Sequence, residues 1–338
     1  MEYAIILAVK VKELGEFGLI DQLNKMIADA KINKRSPNLI LGVGDDAAAW
    51  QSDNTIQLAT VDTMIQGIHF TLDTATWQEV GWKSLAINLS DIAAMGGVPR
   101  YTLIALALPK DADVANVTEL YRGMIVIAKE YGVAIVGGNI SRGLQVSITI
   151  TVLGSCSDNK ILKRSNAKIG DAIAVTGYAG SAAAGLEMLK KKLKFKSTDA
   201  EYLRNTFLHP IPRVSEGQLL VKNGITATID TSDGLLADLS HICEASKVSA
   251  KVNVDLVPII DIVKNNFGER ALELALGGGE DYELIFTGNI EAVNRVKKEA
   301  KCPVTIIGEI TSGKACKIDL INNSGKPIKI NKTGWTHF

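Results

Sequence analysis

The sequence predicts two α+β domains, and three observations carry that expectation. The chain has 338 residues, more than a single hydrophobic core usually serves. Strand-like and helix-like segments follow one another without the strict βαβ alternation of a doubly wound sheet. Around Ser155–Gly170 the composition turns polar, with Ser157, Asp158, Asn159, Lys160 and Lys163 close together. A junction there gives an N-terminal domain over 1–154 and a C-terminal α+β domain over 155–338.

In the N-terminal half, short β-branched or alternating runs bounded by Gly, Pro or Asp predict strands at Leu39–Val43, Thr55–Thr60, Tyr101–Leu108 and Gln145–Leu153. Val146, Ile148, Ile150 and Val152 alternate with Ser147, Thr149 and Thr151, which buries one face of the last strand. Two helices interrupt the strands. Trp77–Met95 is nearly continuous apolar and small, whereas Val114–Tyr131 is amphipathic. The second half opens with a strand at Ala172–Val175 and a helix from about Ser181 to Lys190, then a polar, Lys-rich stretch to Thr198. Ile225–Ile229 leads through Asp230 into a helix at Leu235–Ala245. Further strands are expected at Ala250–Leu256, Tyr282–Thr287, Val304–Gly308 and Ala315–Ile321.

Lys+Arg and Asp+Glu both number 37, so no net field recruits nucleic acid or a membrane surface, and neither is expected as a partner. Cys156, Cys243, Cys302 and Cys316 lack any metal-ligand spacing and read as reduced thiols of a cytoplasmic protein. The apolar run Ala4–Val9 is too short to span a bilayer and has no basic flank or cleavage site.

Four acidic clusters beside small residues hold the chemical information. They are Gly42-Val43-Gly44-Asp45-Asp46, Thr60-Val61-Asp62-Thr63, Asn88-Leu89-Ser90-Asp91 and Asp230-Thr231-Ser232-Asp233-Gly234. Carboxylates are costly to bury and repel one another, so their repeated use at strand ends and helix starts points to hard divalent cations. Mg²⁺ suits such ligands and is commonly shared with substrate phosphates. In Trp77–Met95, Ser84, Asn88 and Asp91 fall at i, i+4 and i+7 on one face of an apolar helix, and a metal would justify burying Asp91 there. Asp230 and Asp233 flank a helix start, where backbone N–H groups favour phosphate oxygens. Gly277-Gly278-Gly279-Glu280-Asp281 is a loop open to close backbone approach. Gly137–Gly143 reads as a similar loop, and Arg164 as a bidentate phosphate ligand.

Several chemistries are excluded. The Gly42 segment fails as a dinucleotide fingerprint, no Gly-x4-Gly-Lys-Ser/Thr loop exists, and the catalytic-loop signature of protein kinases is missing. His69 and His209 stand apart from any Ser or Cys nucleophile.

These motifs, in this order, resemble the thiamine-monophosphate kinase family, part of the superfamily that includes aminoimidazole-ribotide synthetase and selenophosphate synthetase. The stretches that carry the resemblance are GEFGLI (15–20), GVGDDAA (42–48), DTMIQGIHF (62–70), WKSLAINLSDIAAMGGVPR (82–100), GGNISRG (137–143), RSNAKIGDAIAVTG (164–177), DTSDGLLADL (230–239), GGGEDYELIFT (277–287) and GWTHF (334–338).

The resemblance implies a two-domain aminoimidazole-ribotide synthetase-like fold whose N-terminal domains pair through their sheets as a homodimer. It implies phosphoryl transfer from ATP to thiamine monophosphate, with Asp46, Thr60, Asp62, Asp91, Asp230 and Asp233 binding several Mg²⁺ ions. Gly138, Asn139, Arg164 and Ser232 would contact ATP; His69, Glu280 and Trp335 would face thiamine monophosphate. Asp91, Asp233 and Arg164 would carry catalysis. Three departures stand out. Asn139 replaces an expected Asp in the GGDT pattern, with Ile140 in place of the Thr, and this points to a weakened metal position or an impaired homologue. Val61 replaces a usual Thr, and Thr336 replaces an acid. Residues 1–13 have no clear family counterpart.

Overall fold

The computed structural model describes residues 38–41, 44–52, 54–156, 160–313, 317–330 and 334, together with Gly18 and Lys25. Residues 1–13 and Trp335 therefore lie outside the described residues.

The N-terminal half builds a six-stranded mixed sheet. Its strands are β1 (Leu39–Leu41), β2 (Ala48–Ser52), β3 (Thr55–Ile65), β4 (Val98–Leu108), β5 (Ala134–Arg142) and β6 (Ser147–Cys156), in the order β1-β2-β3-β6-β4-β5. All pairings are antiparallel except β4 with β5, which are joined by helix α2 (Val114–Tyr131). Alternation along β3 sends Leu58, Thr60 and Met64 to the buried face and Val61 to the outer one.

Helix α1 (Trp77–Ala94) covers the buried face. It starts at a capping box in which Thr76 and Glu79 satisfy each other's backbone donors. Its near-continuous apolar sequence follows from its place: it packs on β3 and β6, on α2, and on helix α5 (Val214–Lys222) and strand β8 (Ala227–Asp230) of the C-terminal half. The crossing with α2 is close enough to require glycine. A Cβ at Gly81 would sit 1.9 Å from the Leu120 carbonyl oxygen, and one at Gly123 would sit 1.9 Å from that of Gln78.

The C-terminal half forms a second mixed sheet from β7 (Ala172–Thr176), β8, β9 (Ser249–Asn253), β10 (Leu284–Gly288), β11 (Val304–Thr311) and β12 (Ile318–Ile321). Its order is β12-β9-β11-β7-β10-β8, and only β12 and β9 run parallel. The central strands β7 and β10 are buried throughout, with helices α3 (Ser181–Lys191), α4 (Ser197–Leu208), α5, α6 (Leu235–Ser246), α7 (Asp261–Phe267), α8 (Arg270–Gly277) and α9 (Ile290–Glu299) around them. No described helix is long and apolar enough to cross a membrane.

The two-domain α+β architecture expected from sequence is therefore present. Four local expectations differ. The strand begun at Thr55 continues to Ile65, because β6 pairs with it throughout, so Asp62 sits within a strand and not at its end. Residues 137–142 belong to an edge strand, not a loop, and Gly143 follows its end. A Cβ at Gly138 would lie 1.8 Å from the Ile104 carbonyl oxygen, so the glycine serves strand packing. The Lys-rich stretch leads into two helices, α4 and α5, that the sequence reading did not place. Helices α7, α8 and α9 went unplaced as well.

Candidate active site

Three acidic clusters from different parts of the chain meet where α1 crosses between the halves. Carboxylate oxygens of Asp46, Asp91 and Asp230 lie within 4.8 Å of one another. Asp46 comes from the β1–β2 connection, Asp91 from the last turn of α1, and Asp230 from the end of β8. Hydroxyls fix their orientation. Thr60 Oγ1 donates to Asp91 Oδ2 at 2.5 Å, and Ser90 Oγ donates to Asp230 Oδ2 at 2.6 Å. The second bond ties the N-terminal helix to the C-terminal sheet.

Burial pushes the Asp91 carboxyl well above its ordinary range, and the charges of Asp62, Asp230 and Asp46 add to it. Burial, with the charge of Asp46, pushes Asp230 up to about 8. Asp45 is pushed up to about 7 by burial and by Asp46. Carboxylates placed this way are poor company for each other, and a hard divalent cation is the group that such an oxygen-only set fits. Asp46, Asp91 and Asp230 would hold it.

The cluster opens into a cavity of about 930 Å³ whose wall includes Thr60, Asp62, His69, Arg164, Ser232, Asp233 and Glu280. Thus most residues expected from sequence do converge. Asp62 is fixed through its backbone N–H, which donates to Asn88 Oδ1 at 3.0 Å. His69 Nδ1 accepts from the Ile65 N–H at 3.0 Å, so the neutral ring carries its proton on Nε2. Arg164 sits in a single 3₁₀ turn (Arg164–Asn166), and its guanidinium is given to Asp46 at 2.8 and 3.3 Å. It therefore braces the metal-side carboxylate in this arrangement.

The glycine-rich loop is stitched to the Asp230 segment by main-chain bonds. Glu280 N–H donates to Ser232 O and Tyr282 N–H to Thr231 O, at 2.8 and 2.9 Å. A Cβ at Gly279 would lie 2.3 Å from the Ser232 carbonyl oxygen, which explains one glycine of the run. Glu280 and Tyr282 adopt φ of +68° and +50°, unusual for residues with side chains. Asp281 turns away from the cavity and accepts from the Gly180 and Ala182 N–H groups at the start of α3. Gly334 packs so that a side chain there would meet Ala237 Cβ at 2.5 Å, near the Asp233 carbonyl.

Two expectations require correction, and one pair stands apart. The polar stripe of α1 does not enter the site as a unit: Ser84 Oγ donates back to Gly81 O, and Asn88 Nδ2 to Ser84 O. The helix instead presents Lys83, Ile87 and Asp91 to the cavity, at i, i+4 and i+8. Asp281, in the loop expected to be open to close approach, is a helix cap. Gly138 and Asn139 lie on β5, at the far edge of the sheet from β1, and are not in the cavity wall of their own chain. Sequence reasoning missed Lys83, Phe207, Glu79 and Asp238, all of which line the cavity. Asp238 accepts from the Gly234 N–H at 3.0 Å and shapes the Ser232–Gly234 turn. Its spacing from Asp233 within one helical start was the available signal.

Comparisons with known proteins agree with this geometry. The family model described as AIR synthase related protein, N-terminal domain, matches residues 44–156, and its C-terminal counterpart matches residues 168–321. The thiamine-monophosphate kinase of Buchnera aphidicola subsp. Schizaphis graminum is 38% identical over 332 residues, covering 96% of this chain and 99% of that protein. The Bacillus subtilis thiamine-monophosphate kinase is 36% identical over 306 residues, covering 88% and 93%. Among solved structures, AaThiL complexed with AMPPCP and TMP superposes with a TM-score of 0.85 at 32% identity, covering 98% of this chain and 100% of that one. With this likeness running through both halves and the acidic cluster intact between them, the chain belongs to the thiamine-monophosphate kinase family of the AIR synthase related proteins.

Proposed function

We propose that this chain transfers the γ-phosphoryl group of ATP to thiamine monophosphate, giving thiamine diphosphate and ADP. The observation that carries the reading is the convergence of Asp46, Asp91 and Asp230 on one cavity that also holds Glu280 and His69. The solved relative complexed with AMPPCP and TMP supports both substrates.

The acceptor is an ionised phosphate monoester, so no base is needed to create a nucleophile. What obstructs transfer is the mutual repulsion of two polyanions and the need to align them. Mg²⁺ ions, when bound by the Asp cluster, supply positive charge that screens phosphate oxygens. The residues of the chain do the rest. Thr60, Ser90 and Arg164 hold Asp91, Asp230 and Asp46 in place before substrate arrives. His69 and Ser232 line the same cavity and are assigned to face the phosphate groups. Asp62 and Asp233 extend the acidic wall for further cations. The family resemblance assigns Trp335, which lies outside the described residues, to stacking on the heteroaromatic acceptor.

The test is a ³¹P NMR time course with ATP, thiamine monophosphate and Mg²⁺. A thiamine diphosphate signal growing in step with ADP is expected; hydrolysis of ATP without it would overturn the assignment.

The same reading includes a homodimer formed through the outer face of the N-terminal sheet. Val61, Tyr101 and Leu103 are 58, 52 and 40% exposed there. Register places Thr63, Thr149, Ala105 and Asn139 in one row of this face. Asn139 is absent from the wall of the cavity that holds the Asp cluster, so its departure from the family pattern gives the impaired-homologue reading no support. Leu103→Glu should convert the dimer to monomer in analytical ultracentrifugation, with the far-UV spectrum kept. We place the division two residues beyond the expected 154/155, where β6 ends at Cys156, and place the chain in the cytoplasm, where ATP is supplied and free thiols such as Cys156, Cys243 and Cys302 persist.

A further inference from the structure

Lys83 is a buried cation in the cavity wall that takes no part in holding the Asp cluster. Its side chain is 4% exposed, its ammonium lies 3.6 Å from the centre of the Phe207 ring, and it meets Glu280 Oε2 at 2.5 Å. Burial works against its charge, and Glu280 works for it. A buried ammonium with two such partners is a built feature, since removing either leaves the other uncompensated.

Its place along α1 says which end of the substrate it serves. Lys83 and Asp91 are eight residues apart on one helix face, so their Cα atoms are about 12 Å apart. Asp91 marks the phosphoryl end. A phosphate monoester carrying two linked rings, with its phosphate at the Asp91 end where the Asp cluster would hold Mg²⁺, reaches its terminal ring into the Lys83 end. There Lys83 meets Phe207 and Glu280, and Val80, Ile87, Leu208 and Glu79 line the same cavity. Glu79 is bound to Arg204 and to the Thr76 N–H, so its carboxylate is already committed.

Glu280 is the acceptor in contact with Lys83. One of its oxygens is held by Lys83, and its side chain is still 29% exposed to the cavity. It belongs to the C-terminal half and sits on a backbone with φ of +68°, while Lys83 belongs to the N-terminal half. The ion pair thus fixes an otherwise strained acceptor across the junction.

We propose that Lys83 is a positioning residue that holds the Glu280 carboxylate, ionised and aimed, toward the amino group of the substrate's terminal aminopyrimidine. The pair thereby selects the intact two-ring acceptor over its thiazole-phosphate half. This rests on the kinase reading above.

Calorimetric binding of two probes to the full chain with Mg²⁺ tests it: thiamine monophosphate, and the hydroxyethylthiazole phosphate that lacks the pyrimidine. Lys83→Met should weaken thiamine monophosphate about 10- to 100-fold and move the truncated probe about threefold or less. In turnover the loss should fall on KM more than on kcat, and Lys83→Arg should restore part of it. Glu280→Gln, with Lys83 in place, should reproduce the loss of selectivity and carries the test if Lys83→Met does not fold. Equal weakening of both probes, or of neither, overturns the proposal while leaving the kinase intact. Wild-type protein that binds the truncated probe as tightly as thiamine monophosphate overturns it too. Failure of the wild-type chain to bind thiamine monophosphate at all removes the kinase reading and this inference together.

Discussion

Asp91→Asn should lower kcat by about a thousandfold and yet raise the melting temperature of the cation-free protein by a few degrees. Both effects come from the same physics. Asp91 is half-buried at the end of an apolar helix and surrounded by Asp46, Asp62 and Asp230. Without a cation it must either hold a proton far above its ordinary range or face those charges, and either cost is borne by the folded state. The amide removes that cost and keeps the local bonding. Its oxygen still accepts the Thr60 hydroxyl, and its NH₂ group can donate to the neighbouring carboxylates. What the amide cannot do is supply a full negative charge to a divalent cation. Melting curves in EDTA and in excess Mg²⁺, beside the ³¹P assay, separate the two consequences. The variant should lose most of the Mg²⁺-induced rise in melting temperature while gaining in EDTA. A variant that is less stable in EDTA would show that Asp91 is held by partners the cluster does not explain.

The contrast between Asp91 and Lys83 shows where a sequence stops being legible. Asp91 could be read because a carboxylate among Leu85, Ala86, Leu89 and Ile92 conflicts with its surroundings and asks for a partner. Lys83 lies in the same helix, but a lysine beside Trp82 reads as an ordinary solvent-facing residue. Its buried state is created by Glu280, 197 residues away, and by Phe207 on a helix that the composition did not reveal. That helix, α4, begins among lysines whose charge masks its apolar face of Leu203 and Phe207. Strand β5 was hidden for another reason. Its paired glycines look like a turn, but they let an edge strand approach β4, and its outward residues have no core to give them period. The acidic motifs, helix α1 and the mixed architecture are local or compositional properties and came through. Pairings made across the junction did not.

The cation-free protein should also lose stability as pH rises, and Mg²⁺ should abolish the loss. In an unfolded chain Asp45 and Asp230 ionise near 4. In the fold they retain protons up to about 7 and about 8. Between those limits the folded state binds more protons than the unfolded one, so unfolding becomes easier with each rise in pH until the folded groups have titrated. Two other groups mark where the slope is cleanest. His209, whose folded value is lowered by burial, gives the opposite slope below about pH 6.5, because there the unfolded chain takes up the extra proton. Glu187, held down to about 2 chiefly by Arg270, loses its contribution only in acid. The decline should therefore be plainest between about pH 6.5 and 8. A divalent cation binds the ionised cluster and competes with those protons, so its stabilisation must grow across the same interval. Melting temperatures in EDTA at pH 6.5, 7.2 and 8 should fall, and those in excess Mg²⁺ should stay level, so that the gap widens. A level series in EDTA would mean that the carboxylates do not face one another in the free protein. The cation would then assemble the cluster, and the hydroxyls of Thr60 and Ser90 would not have held it ready.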